Sequence, residues 1–265
     1  MSVNRVLLVP ILFVAAAVVV LAQGDNFLEE VNRPLATLLA GARNDSDAQH
    51  TPHIRVPRVV EVANEVMVTV SVPLVGDEKH YIRRLVLIDE NSMVKVKYIA
   101  TFAPQVRPVQ VGALIKMAKN SRIKAIAECS LHGKWLGVSE AIHVGIGGCG
   151  TGQEPSRKLV GEILRVRFQE EGQGVKTSLL FRHPMTSGYL MHGDGRITKT
   201  HEPFFLKVAR LIYKGQVLAE FELGPGLSEN PQISVLLPRL GSEPLKAEVV
   251  NTTRQEFMLM ARAPQ

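Results

Sequence analysis

The chain has 265 residues, 46% of them hydrophobic and 21% charged, with a formal net charge of +6. That composition excludes a disordered chain and leaves room for one or two domains, each with its own core. Lys and Arg are scattered and only one Trp is present, so nothing marks a nucleic-acid surface; a mild positive field suits small anions instead.

At the N-terminus Arg5 precedes an apolar run, Val6 to Ala22, that ends in the small-residue step Val20-Leu21-Ala22. This is the pattern of a Sec-type signal peptide over residues 1–22, cleaved before Gln23, and it predicts a periplasmic protein with no membrane contact beyond export. The competing reading is a retained anchor, disfavoured by Pro10 and by a run at the short end for a span. Residues 23–53 follow. Phe27, Val31, Leu35, Leu38 and Leu39 recur at helical spacing with Pro34 interrupting, which predicts a short N-terminal helix. Asn44 to His53 is polar and reads as a loop.

From Ile54 the hydrophobic period becomes two. Val66, Val68, Val70 and Val72 alternate with Met67, Thr69 and Ser71; Val94, Val96 and Tyr98 alternate with Lys95 and Lys97. Ile123, Ala125, Ala127, Cys129 and Leu131 form a third series, and Ile142, Val144 and Ile146 close it. Strands with one buried and one wet face predict an antiparallel, immunoglobulin-like β-sandwich over residues 54–146. Residues 147–160 are a glycine-rich arm and linker: Gly145 to Arg157 holds five glycines and then a Pro. A second sandwich is predicted over residues 161–265. Its strands are Glu162–Phe168, Val175–Arg182, Phe204–Tyr213, Gln216–Leu223, Ile233–Pro238, Leu245–Asn251 and Glu256–Ala261, with a tight turn at Lys214-Gly215. The fold class is therefore all-β, two sandwiches joined by a glycine-rich linker.

Two cysteines are too few for a disulfide framework. Cys129 lies on the apolar side of its strand and reads as buried. Cys149 stands among Gly147, Gly148 and Gly150 with nothing apolar to pack against, so its thiol is expected to be exposed and mobile. Such a sulfur can enter a narrow pocket on another protein, and even its small thiolate fraction is a good nucleophile. A bystander cysteine in a linker, or a Cys149–Cys129 disulfide, is the alternative. Ile146 to Cys149 spans about 10 Å at full extension, and Gly150 to Val160 up to roughly 36 Å, so the short upstream side limits reach.

Residues Ile54 to Gly150 resemble SoxY, a subunit of the bacterial sulfur-oxidation carrier. The resemblance is carried by V-P-R-V-V-E-V-A-N-E-V from Val56, R-I-K-A-I-A-E-C-S-L-H-G-K-W from Arg122, and I-H-V-G-I-G-G-C-G from Ile142. From Gly161 onward the chain is similar to SoxZ, through R-H-P-M-T-S-G at Arg182 and E-N-P-Q-I-S-V at Glu229. The resemblance implies a non-enzymatic carrier without cofactor. Cys149 would be the covalent attachment site for thiosulfate-derived sulfur, with Gly147, Gly148 and Gly150 as its flexible arm. The implied partners are a c-type cytochrome pair, a dimetal sulfate-releasing hydrolase and a sulfur dehydrogenase. Thr151 replaces the family's last arm glycine, and the chain runs on, which gives the partner domain a high local concentration. The alternatives are a related carrier fusion serving a quinoprotein alcohol dehydrogenase, or a protein-binding module that forms a Cys149-linked homodimer.

Other signals are structural in this reading. His183-Pro184-Met185 sits at a strand end, His192-Gly193-Asp194-Gly195 is turn chemistry, and His201 has no ligand spacing to either, so no metal site is expected. Asn251-Thr252-Thr253 matches a glycosylation sequon without implying modification, and Gly145 to Gly152 lacks the helix and Lys-Ser/Thr of a phosphate loop. His143 is near Cys149 in sequence, but the intervening glycines oppose a preorganised thiol enzyme.

Overall fold

The computed structural model describes residues 32, 34–146, 159, 161–192 and 196–264. The expected signal segment, and Cys149 with its neighbouring glycines, lie outside them. Among the described residues the elements are all strands apart from one short helix, α1 (Pro34–Leu39). Asn32 is also helical, and Pro34 stands at the start of the described run, where its fixed φ and missing N–H suit a first turn. No described helix is long and apolar enough to cross a membrane.

The strands of the first half are β1 (Ala42–Arg43), β2 (His53–Arg55), β3 (Val59–Val62), β4 (Val66–Val72), β5 (Ile82–Ile88), β6 (Val96–Phe102), β7 (Val109–Ile115), β8 (Ser121–Cys129) and β9 (Gly133–Ile146). Those of the second are β10 (Leu164–Glu171), β11 (Gly174–Phe181), β12 (Tyr189–Met191), β13 (Ile197–Lys199), β14 (Leu206–Tyr213), β15 (Gln216–Leu223), β16 (Gln232–Pro238), β17 (Leu245–Asn251) and β18 (Glu256–Ala261). The period-two pattern holds in detail for β4, whose valines 66, 68, 70 and 72 are all buried while Met67 is exposed. Lys214 and Gly215 both take positive φ, 50° and 77°, which is the mirror-image turn that matches strand twist between β14 and β15. The small hairpin of β12 and β13 has no periodic signature, because its strands are short and the second is wholly exposed.

The two halves share their sheets. Among the described residues a ten-stranded sheet runs β1-β9-β8-β5-β6-β15-β14-β17-β18, with β3 also on β9, and a six-stranded sheet runs β10-β11-β16-β7-β4-β2. The seams are antiparallel: β6 pairs β15 (Phe102 opposite Ala219), and β7 pairs β16 (Val111 opposite Val235). One core of buried residues runs through both halves. At the first seam Phe221 packs edge-on against Tyr98 and Phe102, with ring centres 6.3 and 6.4 Å apart. Two apolar edges that would otherwise be open are thereby closed on each other.

This explains a departure from simple alternation in β6. Val96 to Ala100 is buried at every position, including Lys97. One face joins the main core; the other meets Leu38 of α1, with Val86, Ile88 and Ile126, in a smaller cluster. The Lys97 ammonium lies 3.9 Å from the Asp89 carboxylate and donates to the Lys116 carbonyl at 2.8 Å, so the buried charge is satisfied.

Candidate functional site

Strand β9 links two places of chemical interest. Its 14 residues begin beside a histidine cluster and end three residues before Cys149. From Gly133 to Ile142 it pairs with β8; its last residues, from His143, are held by parallel pairing with β3 instead. The Val144 N–H also donates to the Asn120 side chain at 2.8 Å, and the His143 N–H to the Arg58 carbonyl at 2.9 Å. The V-V-E-V strand thus holds the last described residues of β9. Val59 and Val62 stay exposed there, at 69% and 60%.

The other end of β9 holds His50, His80, Cys129 and His132. One ligand-type atom from each lies within 4.8 Å of all the others. Two turns of the same construction deliver the first two. In Asp47-Ala48-Gln49-His50 the Asp47 carboxylate accepts the N–H groups of Gln49 and His50 at 2.8 and 2.9 Å. In Asp77-Glu78-Lys79-His80 the Asp77 carboxylate accepts those of Lys79 and His80 at 2.7 and 2.8 Å. These are Asx turns, in which the aspartate replaces a backbone partner. Cys129 closes β8 and His132 stands in the following turn, where Gly133 takes φ +98° to start β9. The Ser130 hydroxyl ties this turn to the second one, accepting from the Tyr81 N–H at 3.1 Å and donating to the Lys79 carbonyl at 2.5 Å.

The cluster is oriented from behind. The Asp47 carboxylate sits 3.0 Å from His50 Nδ1. The hydrogen bond from His50 is the largest cause that holds the Asp47 pKa down to about 2, so the group is ionised and accepts only. His50 Nδ1 is therefore the donor in this contact, and Nε2 faces the other rings. Trp135, buried, stacks on the His50 ring at 4.3 Å, and the Arg43 guanidinium lies over the indole at 5.0 Å. His50 Nε2 is then 3.0 Å from His80 Nε2 and 3.3 Å from His132 Nδ1, while the Cys129 sulfur is 3.9 Å from that same Nδ1. The Leu131 N–H points at the sulfur from 3.5 Å. His50 and Cys129 are buried, His80 is half-buried and His132 is exposed, so the cluster opens on one side.

The burial expected for Cys129 is present, and its thiol is free. Its place in a four-residue cluster does not follow from its strand position. The available signals are the spacing Cys129-x-x-His132 and the two Asp-x-x-His turns, which lie far apart in sequence. His183, His192 and His201 serve local structure. His183 is buried, with Nδ1 accepting the Met185 N–H at 3.3 Å and its ring 4.5 Å from Phe204. Burial lowers its pKa to about 4. His192 bonds Thr198 at 2.8 Å, and His201 bonds Thr186 at 2.7 Å. The sequon residue Asn251 is buried, with its side chain spent on Thr253 and Gln255, so it serves as a turn and not as an acceptor for sugar.

Two family models match the chain. One, for the sulfur oxidation protein SoxY, covers residues 37–149; the other, for the sulphur oxidation protein SoxZ, covers residues 164–260. No curated protein sequence gives a match. Among solved structures, SoxY, the sulfur carrier protein from Chlorobium limicola f thiosulfatophilum, is 16% identical over 44% of this chain and 98% of its own, with a TM-score of 0.35. A superoxide reductase (neelaredoxin) from Ignicoccus hospitalis is 29% identical over 36% of this chain and 81% of its own, with a TM-score of 0.33. A superoxide reductase from Nanoarchaeum equitans is 19% identical over 37% of this chain and 98% of its own, with a TM-score of 0.33. With a SoxY match and a SoxZ match laid end to end over most of its length, the chain belongs to both sulfur-oxidation families, as a fused SoxY–SoxZ protein.

Proposed function

We propose that the protein is a periplasmic carrier, exported by its Sec-type signal, that holds thiosulfate-derived sulfur covalently on Cys149 and presents it to partner enzymes. The observation that carries this reading is the end of the SoxY match at residue 149, on the cysteine of G-G-C-G, with the SoxZ match following at 164. The anchoring of β9 by β3 supports it: a rigid strand carries the arm to within three residues of the sulfur. The exposed valines 59 and 62 offer partner enzymes an apolar contact beside the arm's base.

The chemistry divides between carrier and partners. Loading joins the Cys149 sulfur to the outer sulfur of thiosulfate. The thiol proton is released and two electrons pass to the c-type cytochrome pair, leaving Cys–S–S–SO3⁻. Water attack at the sulfonate sulfur, in the dimetal hydrolase, then releases hydrogen sulfate and leaves Cys–S–SH, the substrate of a sulfur dehydrogenase. The carrier supplies the nucleophilic thiolate and its delivery. The short upstream side, about 10 Å at full extension, limits how far the sulfur can travel.

Intact mass spectrometry of the mature protein tests this. Incubation with thiosulfate and an oxidised c-type cytochrome should add thiosulfate- or sulfur-sized increments that mild reductant removes and Cys149→Ser lacks. An unmodified Cys149 under all loading conditions, or a Cys149–Cys129 disulfide, sinks the reading.

A further inference from the structure

We propose that His50, His80, Cys129 and His132 bind one divalent first-row transition-metal ion through two Nε2 atoms, one Nδ1 and a thiolate. The spacing of the donor atoms is the first argument. Two nitrogens held about 2.1 Å from one ion lie roughly 3.0 Å apart at a right-angled corner and roughly 3.4 Å apart at a tetrahedral one. The observed separations from His50 Nε2 are 3.0 and 3.3 Å. A sulfur and a nitrogen on the same ion lie roughly 3.5 Å apart, and the 3.9 Å from Cys129 Sγ to His132 Nδ1 closes with a small turn of the exposed imidazole.

Hydrogen bonding within the cluster accounts for less. The Nδ1 proton of His50 is committed to Asp47, so its Nε2 offers one lone pair, toward which both other rings point. One cation satisfies three lone pairs and a thiolate together. The surroundings are those of a built site. A carboxylate behind a ligating imidazole fixes its tautomer and raises its basicity, as Asp47 does for His50. Trp135 fixes the ring plane, and the Leu131 N–H faces the sulfur, where it stabilises the thiolate.

The donor set selects the ion. Three imidazoles and one sulfur suit zinc, iron(II) or cobalt(II) and do not suit calcium or magnesium, which take oxygen ligands. The exposure of His132 provides an entry path and leaves room beside the ion for a small ligand. The ion would also tie together the loop at 47–53, the turn at 76–81 and the β8–β9 turn, three segments far apart in sequence.

This site is separate from the carrier cysteine. The path along β9 from Gly133 to Ile146 is up to about 43 Å, against roughly 10 Å of arm beyond it. The four proposed ligands therefore lie toward the opposite end of β9 from residue 147, and Cys149 is not counted among them. The metal either serves the fold or acts on a separate small ligand.

Cobalt(II) titration of the chelator-treated full chain is the test. The expected result is saturation at one ion per chain, with a thiolate-to-cobalt charge-transfer band in the near ultraviolet. Zinc should displace the cobalt and abolish the band. Cys129→Ser should remove the band, and His132→Ala, at an exposed position, should weaken binding at least 100-fold while the circular dichroism spectrum is kept. Cys149→Ser should leave the titration unchanged. If Cys129→Ser fails to fold, His132→Ala and His80→Ala decide the matter. The proposal is overturned by the absence of a saturable 1:1 band, by unchanged affinity in both histidine variants, or by loss of the band in Cys149→Ser.

Discussion

Histidines in the two halves of this molecule have different fates. The N-terminal half brings His50, His80 and His132 to one point beside a buried sulfur. In the C-terminal half His183, His192 and His201 are scattered, each bonded to its own local neighbours. Both halves are sandwiches built from the same kind of strand. The difference lies in their turns: two Asx turns and a hairpin of the first half meet at one end of the sheet, whereas the histidines of the second half each support a nearby loop. A histidine in such a fold is chemically informative only where side chains from separate turns converge.

Experiments can sharpen that contrast. The largest expected effect separates the arm from the cluster: Cys149→Ser should abolish all reducible adducts, read by intact mass, and leave the cobalt site intact. Next are two core truncations, Trp135→Ala in the first half and Phe204→Ala in the second. Each should cost about 3–5 kcal/mol in urea unfolding, because each removes a buried ring. Only the Trp135 change should also weaken metal binding, since that ring supports His50. Equal effects on metal binding from both would erase the distinction between the halves.

The third expectation belongs to His183. Its folded-state pKa is depressed to about 4 by burial, so the unfolded chain binds this proton more tightly. Its contribution is fully present above about pH 6.5 and is lost as pH falls from there toward 4, at most roughly 3 kcal/mol. His183→Asn should flatten that part of the stability–pH curve, measured by denaturant unfolding at each pH; an unchanged slope would show that His183 is not its source. The smallest effect is at Asp47. Asp47→Asn keeps an acceptor for the Asx turn but removes the carboxylate behind His50, and should lower cobalt affinity by about tenfold. A fully unchanged isotherm would mean that this carboxylate does not orient the ligand.

Much of the architecture is legible from periodicity. The boundaries of β15, β17 and β18 follow from the sequence residue for residue, and in β17 and β18 burial alternates with a period of two. The strand β6 alternates in sequence yet is buried on both sides, since α1 and the seam with β15 cover what would otherwise be wet. Alternation reports a half-exposed sheet and is silent about what a second half brings to its edge.

The sequence by itself determined the two all-β halves, the family resemblance and the glycine-flanked cysteine, since each is written in contiguous residues. Only the tertiary structure decided that the halves share two sheets, because edge pairing is made by backbone groups that every residue carries. It alone also revealed the cluster: Asp47-x-x-His50, Asp77-x-x-His80 and Cys129-x-x-His132 are unremarkable turns until strand pairing sets them within a few ångströms of one another. The sulfur expected to be inert packing thus joins that cluster, while the chemistry assigned to Cys149 rests on local sequence and on the family to which the chain belongs.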